Sequence, residues 1–265
     1  MDIDTPRPFA VVTGASSGIG FELAKQFAIN GFDLLVTAED AELMTAAQRL
    51  EQTGSRVEVV RADLTQDDGV DELFRRITAT GRPVAALALN AGIGGGGAFF
   101  DSDLDDELRI IDLNVRSTVH LARHVLPVMV AQGEGRVLFT SSIASGMPGS
   151  FHATYNASKS FVQSFALALR DELKDTGVTV TSLMPGPTET EFFERADMLD
   201  TKVGASKKDD PADVAREGFE ALMAGKERVV AGSLATRLQG RGSRFIPDAI
   251  KAKMHRQMAE RRGDK

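Results

Sequence analysis

Cysteine and tryptophan are both absent from the 265-residue chain, and tyrosine occurs once. Without cysteine there is no disulfide framework, iron–sulfur centre, thiolate zinc site or cysteine nucleophile. Long apolar runs are missing as well, none approaching the roughly 20 residues that cross a bilayer. The first eight residues are acidic and proline-bearing, not basic and then apolar as in a signal peptide. Positive charge is not in excess: 31 basic against 38 acidic side chains give a formal charge of -7, which argues against a nucleic-acid partner. What remains, 42% hydrophobic and 26% charged, is an ordinary globular composition. The expectation is an acidic, cytoplasmic protein with no membrane-spanning segment.

Apolar runs alternate with helical patterns along nearly the whole chain. Strands are expected at 9–13, 33–37, 57–61, 84–89, 137–141 and 178–183, with a further one at 228–231. Helices are expected between them, at 21–30, 41–52, 67–80, 155–175 and 212–223. A long helix is expected over about 105–131, and residues 188–199 also read as helical. The run Val84–Leu89 carries no charge on either face, as in a parallel strand covered on both sides. Repeated strand–helix units point to an α/β fold of the Rossmann type, a doubly wound, mainly parallel seven-stranded sheet with helices on both faces, over a closed eightfold barrel. One domain over 1–265 is expected, with a substrate-loop and helical region at 187–225 and a helical tail at 244–265. That tail is basic, through Lys251, Lys253, Arg256, Arg261, Arg262 and Lys265.

Thr13-Gly14-Ala15-Ser16-Ser17-Gly18-Ile19-Gly20 sits between the first strand and the first helix. Gly14 suits a tight turn, Gly18 the approach of backbone to a pyrophosphate, and Gly20 close packing of helix on sheet. The amides at that helix start can receive phosphate charge. No lysine follows, so this is not a Walker loop. Glu39, just past the second strand, can accept from ribose hydroxyls and would repel a 2′-phosphate, as would Asp40. This favours NAD(H), with NADP(H) as the alternative through Arg61. Asp63-Leu64 and Asn90-Ala91-Gly92 follow the next two strands, where a cofactor would lie.

Tyr155 is followed four residues later by Lys159, on the same helix face. An ammonium there favours the phenolate of a group whose free pKa is about 10. Ser142, past the fifth strand, can orient a substrate oxygen. Asn114 lies inside a helix, where its residue type has no propensity reason to be, and can hold a water or a carbonyl beside the lysine. A buried tyrosine near a surface lysine, and an asparagine that only kinks its helix, are the structural alternatives.

With Pro185-Gly186, these residues resemble the classical short-chain dehydrogenase/reductase family over about residues 8–235. The resemblance implies an Asn–Ser–Tyr–Lys tetrad of Asn114, Ser142, Tyr155 and Lys159. In it Tyr155 is the acid/base, while Lys159 binds the nicotinamide ribose and joins a water relay through Asn114. Ser142 takes the serine role ahead of Ser141. Thr188, by proximity, or Thr190, by spacing, contacts the nicotinamide carboxamide. The family often has paired asparagines where this chain has Leu89-Asn90, and an arginine where it has Glu39. The resemblance also implies a homodimer or homotetramer paired through two long helices.

Substrate-pocket candidates are Ile93, Phe99, Ile143, Met147, Phe151, His152, Met184, Phe192 and Phe193, a mostly apolar set. The leading expectation is an NAD(H)-dependent enzyme interconverting an apolar secondary alcohol and its ketone. An NADPH-dependent 3-oxoacyl or other carbonyl reductase, with Arg116 and Arg123 docking an acidic carrier, is the second reading. A non-catalytic dinucleotide sensor is the third. His120 and His124 share a helix face but show no zincin glutamate and no evident third ligand, so no metal site is expected.

Overall fold

The computed structural model describes residues 7–234, 236–238 and 247–260. Seven parallel strands, β1 (Phe9–Thr13), β2 (Asp33–Ala38), β3 (Val57–Arg61), β4 (Val84–Leu89), β5 (Gly135–Thr140), β6 (Val178–Pro185) and β7 (Arg228–Ala231), form one sheet in the order β3-β2-β1-β4-β5-β6-β7. The helices are α1 (Gly18–Ile29), α2 (Glu42–Glu51), α3 (Asp67–Ala79), α4 (Leu104–Ile111), α5 (Ser117–Gln132), α6 (Ala153–Glu172), α7 (Phe192–Arg195), α8 (Pro211–Met223) and α9 (Asp248–Ala259).

Burial on both sides explains the unbroken apolar strands. Ala10 and Val12 of β1 enter the core under α1, α2 and α8, while Phe9 and Val11 enter the opposite core under α3, α5 and α6. β4 divides the same way, small Ala86 and Ala88 on the first face and Leu87 and Leu89 on the second. The Rossmann-type expectation therefore holds. The strand order reverses between β1 and β4, where an open α/β sheet leaves a crevice at its carboxyl end.

The sequence and the structure differ in two places. The helix expected over 105–131 is α4 and α5 joined by a π-helical turn at Asp112–Arg116, which holds Asn114. Such turns insert an extra residue and rotate the side chains before them, a change that an apolar period does not register. Helix in 188–199 shrinks to the four residues of α7, because Thr188 instead bridges to Asp209 as extended chain. The tail is helical as α9, whereas Arg261, Arg262 and Lys265 lie outside the described residues. No helix among the described residues is long and apolar enough to cross a membrane.

Candidate active site

A cavity of about 1010 Å³ runs along the carboxyl ends of β1, β2, β4, β5 and β6. At its centre, Gly14 and Gly18 take φ of +66° and +55°, the left-handed region open to glycine. A side chain on Gly20 would collide with the Gly14 carbonyl, so the helix start can press onto the loop only here. Ser17 caps α1 in extended conformation with no side-chain hydrogen bond. The first-turn amides of α1 are thus without a capping side chain, at residues Gly18, Ile19 and Gly20 that line the cavity.

Asn90 ties three strands together: its Nδ2 donates to the Thr13 carbonyl at 3.2 Å, and its Oδ1 accepts from Thr140 Oγ1 at 3.1 Å. That frees Ala91 and Gly92 to form a low cavity wall.

At one end lie Glu39, Asp40, Asp63 and Leu64. Glu39 is not alone. Arg109 of α4 reaches across to its carboxylate at 2.7 Å, and Arg61 Nε donates to its main-chain oxygen at 2.8 Å. Asp40 accepts from Ser16 Oγ at 2.8 Å, with Arg195 of α7 at 4.0 Å. One oxygen of Asp63 is taken up by the backbone and hydroxyl of Thr65, at 2.9 and 2.7 Å. Of the three guanidinium groups around these two acids only Arg61 carried a sequence signal, since Arg109 and Arg195 stand on helices remote in the chain from Glu39.

At the other end, Ser142, Tyr155 and Lys159 converge on the wall. Ser142 follows β5 and caps a short 3-10 turn, accepting from Ala144 N at 3.1 Å. It also hydrogen-bonds Tyr155, which pulls the phenol pKa down, but burial outweighs this and pushes it up to about 12. The Ser141 hydroxyl is spent on the Lys159 carbonyl at 3.0 Å, leaving Ser142 as the serine whose side chain meets the phenol.

Asn114 is 1% exposed and stands behind the wall, outside the lining. Its amide brackets Ile93, accepting from the peptide N–H and donating to the carbonyl, each at 2.9 Å. It therefore holds a carbonyl, one of the two partners expected of it. A Cβ on Gly92 would come within 3.0 Å of Asn114 Oδ1 and 3.1 Å of Lys159 Nζ, so the three groups meet across a bare backbone.

Lys159 is 5% exposed and donates from Nζ to the Thr140 carbonyl at 3.0 Å. Burial lowers its pKa from 10.5 to about 8. Between those values the unfolded chain keeps a proton that the folded one has released, so stability rises with pH across that window. On the scale of about 1.36 kcal/mol per unit the gain is about 3 kcal/mol. Urea unfolding of wild type and Lys159→Met at two pH values near the window's ends checks this. The wild type should gain about that much on the variant, and a constant difference would contradict the burial.

Ile93, Ile143, Met147, His152, Phe192 and Phe193 line the substrate end, as do Pro185, Gly186, Thr188 and Thr190. The glycine run is there to admit side chains: a Cβ on Gly94 would strike the Phe192 ring, and one on Gly96 would meet Met198. Phe192 in turn lies 5.2 Å from the Tyr155 ring, centroid to centroid. Thr188 donates to the Gly186 carbonyl at 2.9 Å, while the Thr190 methyl packs against Gly18.

Three pocket expectations are corrected. Phe151, at φ +66°, sends its ring to Arg256 of α9, 5.1 Å away, and is not in the lining. Leu183 packs toward α8, so strand alternation turns Met184 to the α6 face with Ser182, which bonds Gln163 there. Phe99 is 61% exposed outside the cavity. The sequence reading missed His255 and Met258, which α9 brings to the lining. His255 Nδ1 lies 2.9 Å from the Ser150 carbonyl, and Val203 N donates to the Met258 carbonyl at 3.1 Å. Burial lowers the His152 pKa to about 4, its Nε2 has no partner, and both histidines are neutral near pH 7.

Comparison with known proteins fits this geometry. A family model described as short chain dehydrogenase matches residues 8–199. A short-chain dehydrogenase from Sphingobium yanoikuyae, solved with NADPH, superposes with a TM-score of 0.79 at 27% identity, covering 97% of this chain and 98% of that one. A bulky-bulky ketone specific alcohol dehydrogenase from Comamonas testosteroni gives 0.75 at 28% identity over 85% and 86% of the two chains. A Burkholderia phymatum short chain dehydrogenase/reductase in complex with NAD gives 0.75 at 26% identity, over 84% and 88%.

Proposed function

The chain belongs to the short-chain dehydrogenase family, and from that premise we propose that it interconverts a largely apolar secondary alcohol and its ketone with NAD(H), using Tyr155 as acid and base. More broadly, it is an NAD(P)(H)-dependent oxidoreductase of small carbonyl or alcohol substrates. The observation that carries the finer reading is the meeting of Ser142, Tyr155 and Lys159 on one wall of a cavity whose far end holds Glu39.

The bare Gly14–Gly20 loop, the uncapped start of α1 and the low Ala91–Gly92 wall fit a dinucleotide. Ser16, Ser17 and Ile19 would hold its phosphates with the loop glycines, Glu39 and Asp63 its adenosine, and Lys159 with Thr188 or Thr190 its nicotinamide half. When bound, that group supplies or accepts the hydride.

Tyr155 Oη gives a proton to the carbonyl oxygen in reduction and takes the hydroxyl proton in oxidation. A phenol held protonated up to about pH 12 by burial is set for donation. Oxidation requires its deprotonation, which the Lys159 ammonium assists while it keeps its proton, below about pH 8. Oxidation should therefore speed up as pH rises toward the phenol's pKa, and reduction should slow only as that value is approached. Ser142 orients the substrate oxygen toward the phenol. Asn114, which touches neither, fixes the Ile93 peptide and the wall beside Lys159, and is a positioning residue.

Ile93, Ile143, Met147, Phe192 and Met198 favour an apolar substrate body, and the unpartnered Nε2 of His152 offers it one polar contact. Arg116 pairs with Asp67 and Asp112, which removes one of the two arginines that suggested a carrier-protein dock. The exposed apolar residues Leu108 and Ile111 of α4 and Phe161 of α6 support self-association into a homodimer or homotetramer. Light scattering should give two or four times the 28.4 kDa chain mass, and a monomer would exclude this. Following absorbance of reduced nicotinamide with a panel of secondary alcohols and ketones tests the activity. Turnover of bulky apolar members is expected, whereas turnover of small carboxylates alone would overturn the substrate class.

A further inference from the structure

On the face of the sheet away from α1, helices α3 and α5 run side by side and bring together side chains that the sequence keeps about fifty residues apart. His120 and His124 stand one turn apart on α5, their ring centroids 4.8 Å from each other. Asp71 of α3 lies between them. Its Oδ1 is 3.2 Å from His120 Nε2 and 3.1 Å from His124 Nε2. The three ligating atoms lie within 4.8 Å of one another, and all three residues are half-buried. None of them lines the cofactor cavity.

We propose that Asp71, His120 and His124 form a site for a divalent transition-metal ion of the zinc class, with water completing the coordination sphere. Imidazole nitrogen and carboxylate oxygen are the ligands such ions take when thiolate is absent. Ligands at about 2.0–2.1 Å from a tetrahedral ion lie about 3.3 Å from each other. Both Asp71–histidine edges are already near that length.

Two neighbours prepare the rings. Asp67, one turn before Asp71, places Oδ1 3.5 Å from His120 Nδ1. A carboxylate on the far nitrogen of a ligating histidine is the usual supporting arrangement. Phe74 stacks on His124, with centroids 4.4 Å apart and planes at 14°, which fixes that ring as well. A bound ion would clamp α3 to α5, two turns beyond the π-helical turn that holds Asn114. The proton chemistry of Tyr155 does not require it.

The test is calorimetric titration of untagged, chelator-treated protein with zinc chloride, repeated with cobalt(II) while recording visible absorption. The expected result is one ion per chain, an intense four-coordinate cobalt spectrum and a raised unfolding temperature with zinc. His124→Asn and Asp71→Asn should each weaken binding by at least about tenfold, and Asp67→Asn by about tenfold with unchanged stoichiometry. His152→Asn, altering one of the two histidines outside the site, should leave zinc affinity unchanged. Circular dichroism of each variant separates loss of a ligand from loss of the fold. Absence of saturable binding, or binding unaffected by His124→Asn in a folded variant, would overturn the site. Loss of binding in His152→Asn would assign the ion to the His152–His255 pair instead, and would overturn it equally.

Discussion

Replacing Tyr155 by Phe is expected to lower turnover in both directions by about 10²–10⁴-fold, the usual range for a positioned proton-transfer group. NADH affinity should change little. The substitution removes only Oη: the ring that packs 5.2 Å from Phe192 and the helix that carries Lys159 stay in place. The reacting oxygen loses the one side-chain hydroxyl whose buried setting favours proton donation. Steady-state rates with a responsive ketone and its alcohol, alongside a nucleotide titration, check both halves of the expectation. A rate within about tenfold of wild type would place the proton transfer on another group, with Ser142 the next to examine.

Glu39→Gln is expected to raise the ratio of kcat/KM for NADPH over NADH by about a hundredfold. The wild-type carboxylate opposes a 2′-phosphate and also holds Arg109, 2.7 Å away. Removing its charge ends the repulsion and releases a guanidinium to meet the phosphate. A hydrogen bond to a charged group contributes about 1.5–3 kcal/mol, and about 1.4 kcal/mol is tenfold, so the two changes together reach that order. Arg61, already donating to the Glu39 main chain, would help. Arg109→Ala should act oppositely on NADPH, leaving Glu39 free for ribose hydroxyls. An unchanged ratio in Glu39→Gln would mean that Glu39 does not discriminate between the cofactors.

The centre of the sheet was legible because its strands make a local statement: β1 and β4 are apolar on both faces, and only a doubly covered parallel strand needs that. The glycine loop was legible for a related reason, since Gly20 is demanded by a contact within its own strand–helix unit. Tyr155 and Lys159 share one helix, so their spacing alone places them together. Legibility failed where chemistry joins distant elements. Nothing in the residues near Glu39 announces Arg109, and nothing near His120 announces Asp71, because both pairings are made by packing between separate helices. The π-helical turn at Asn114 was legible only as a possible kink, because an inserted residue leaves no mark in the polar sequence of Asp112–Arg116. Phe151 was misplaced because its positive φ, rare for a bulky residue, turns the ring away from the cavity toward Arg256. α9 supplies His255 and Met258 to the substrate end from a tail whose basic composition suggests only a solvated helix.

The central claim is that this cavity holds NAD(H) along the Gly14–Gly20 loop with its adenosine ribose at Glu39. The most direct test is titration of the purified protein with NADH and with NADPH, following nicotinamide fluorescence in a chain that has no tryptophan to interfere. The account predicts saturable binding of NADH at least about tenfold tighter than NADPH, equal to about 1.4 kcal/mol. Tighter binding of NADPH, or binding of neither nucleotide, would contradict it.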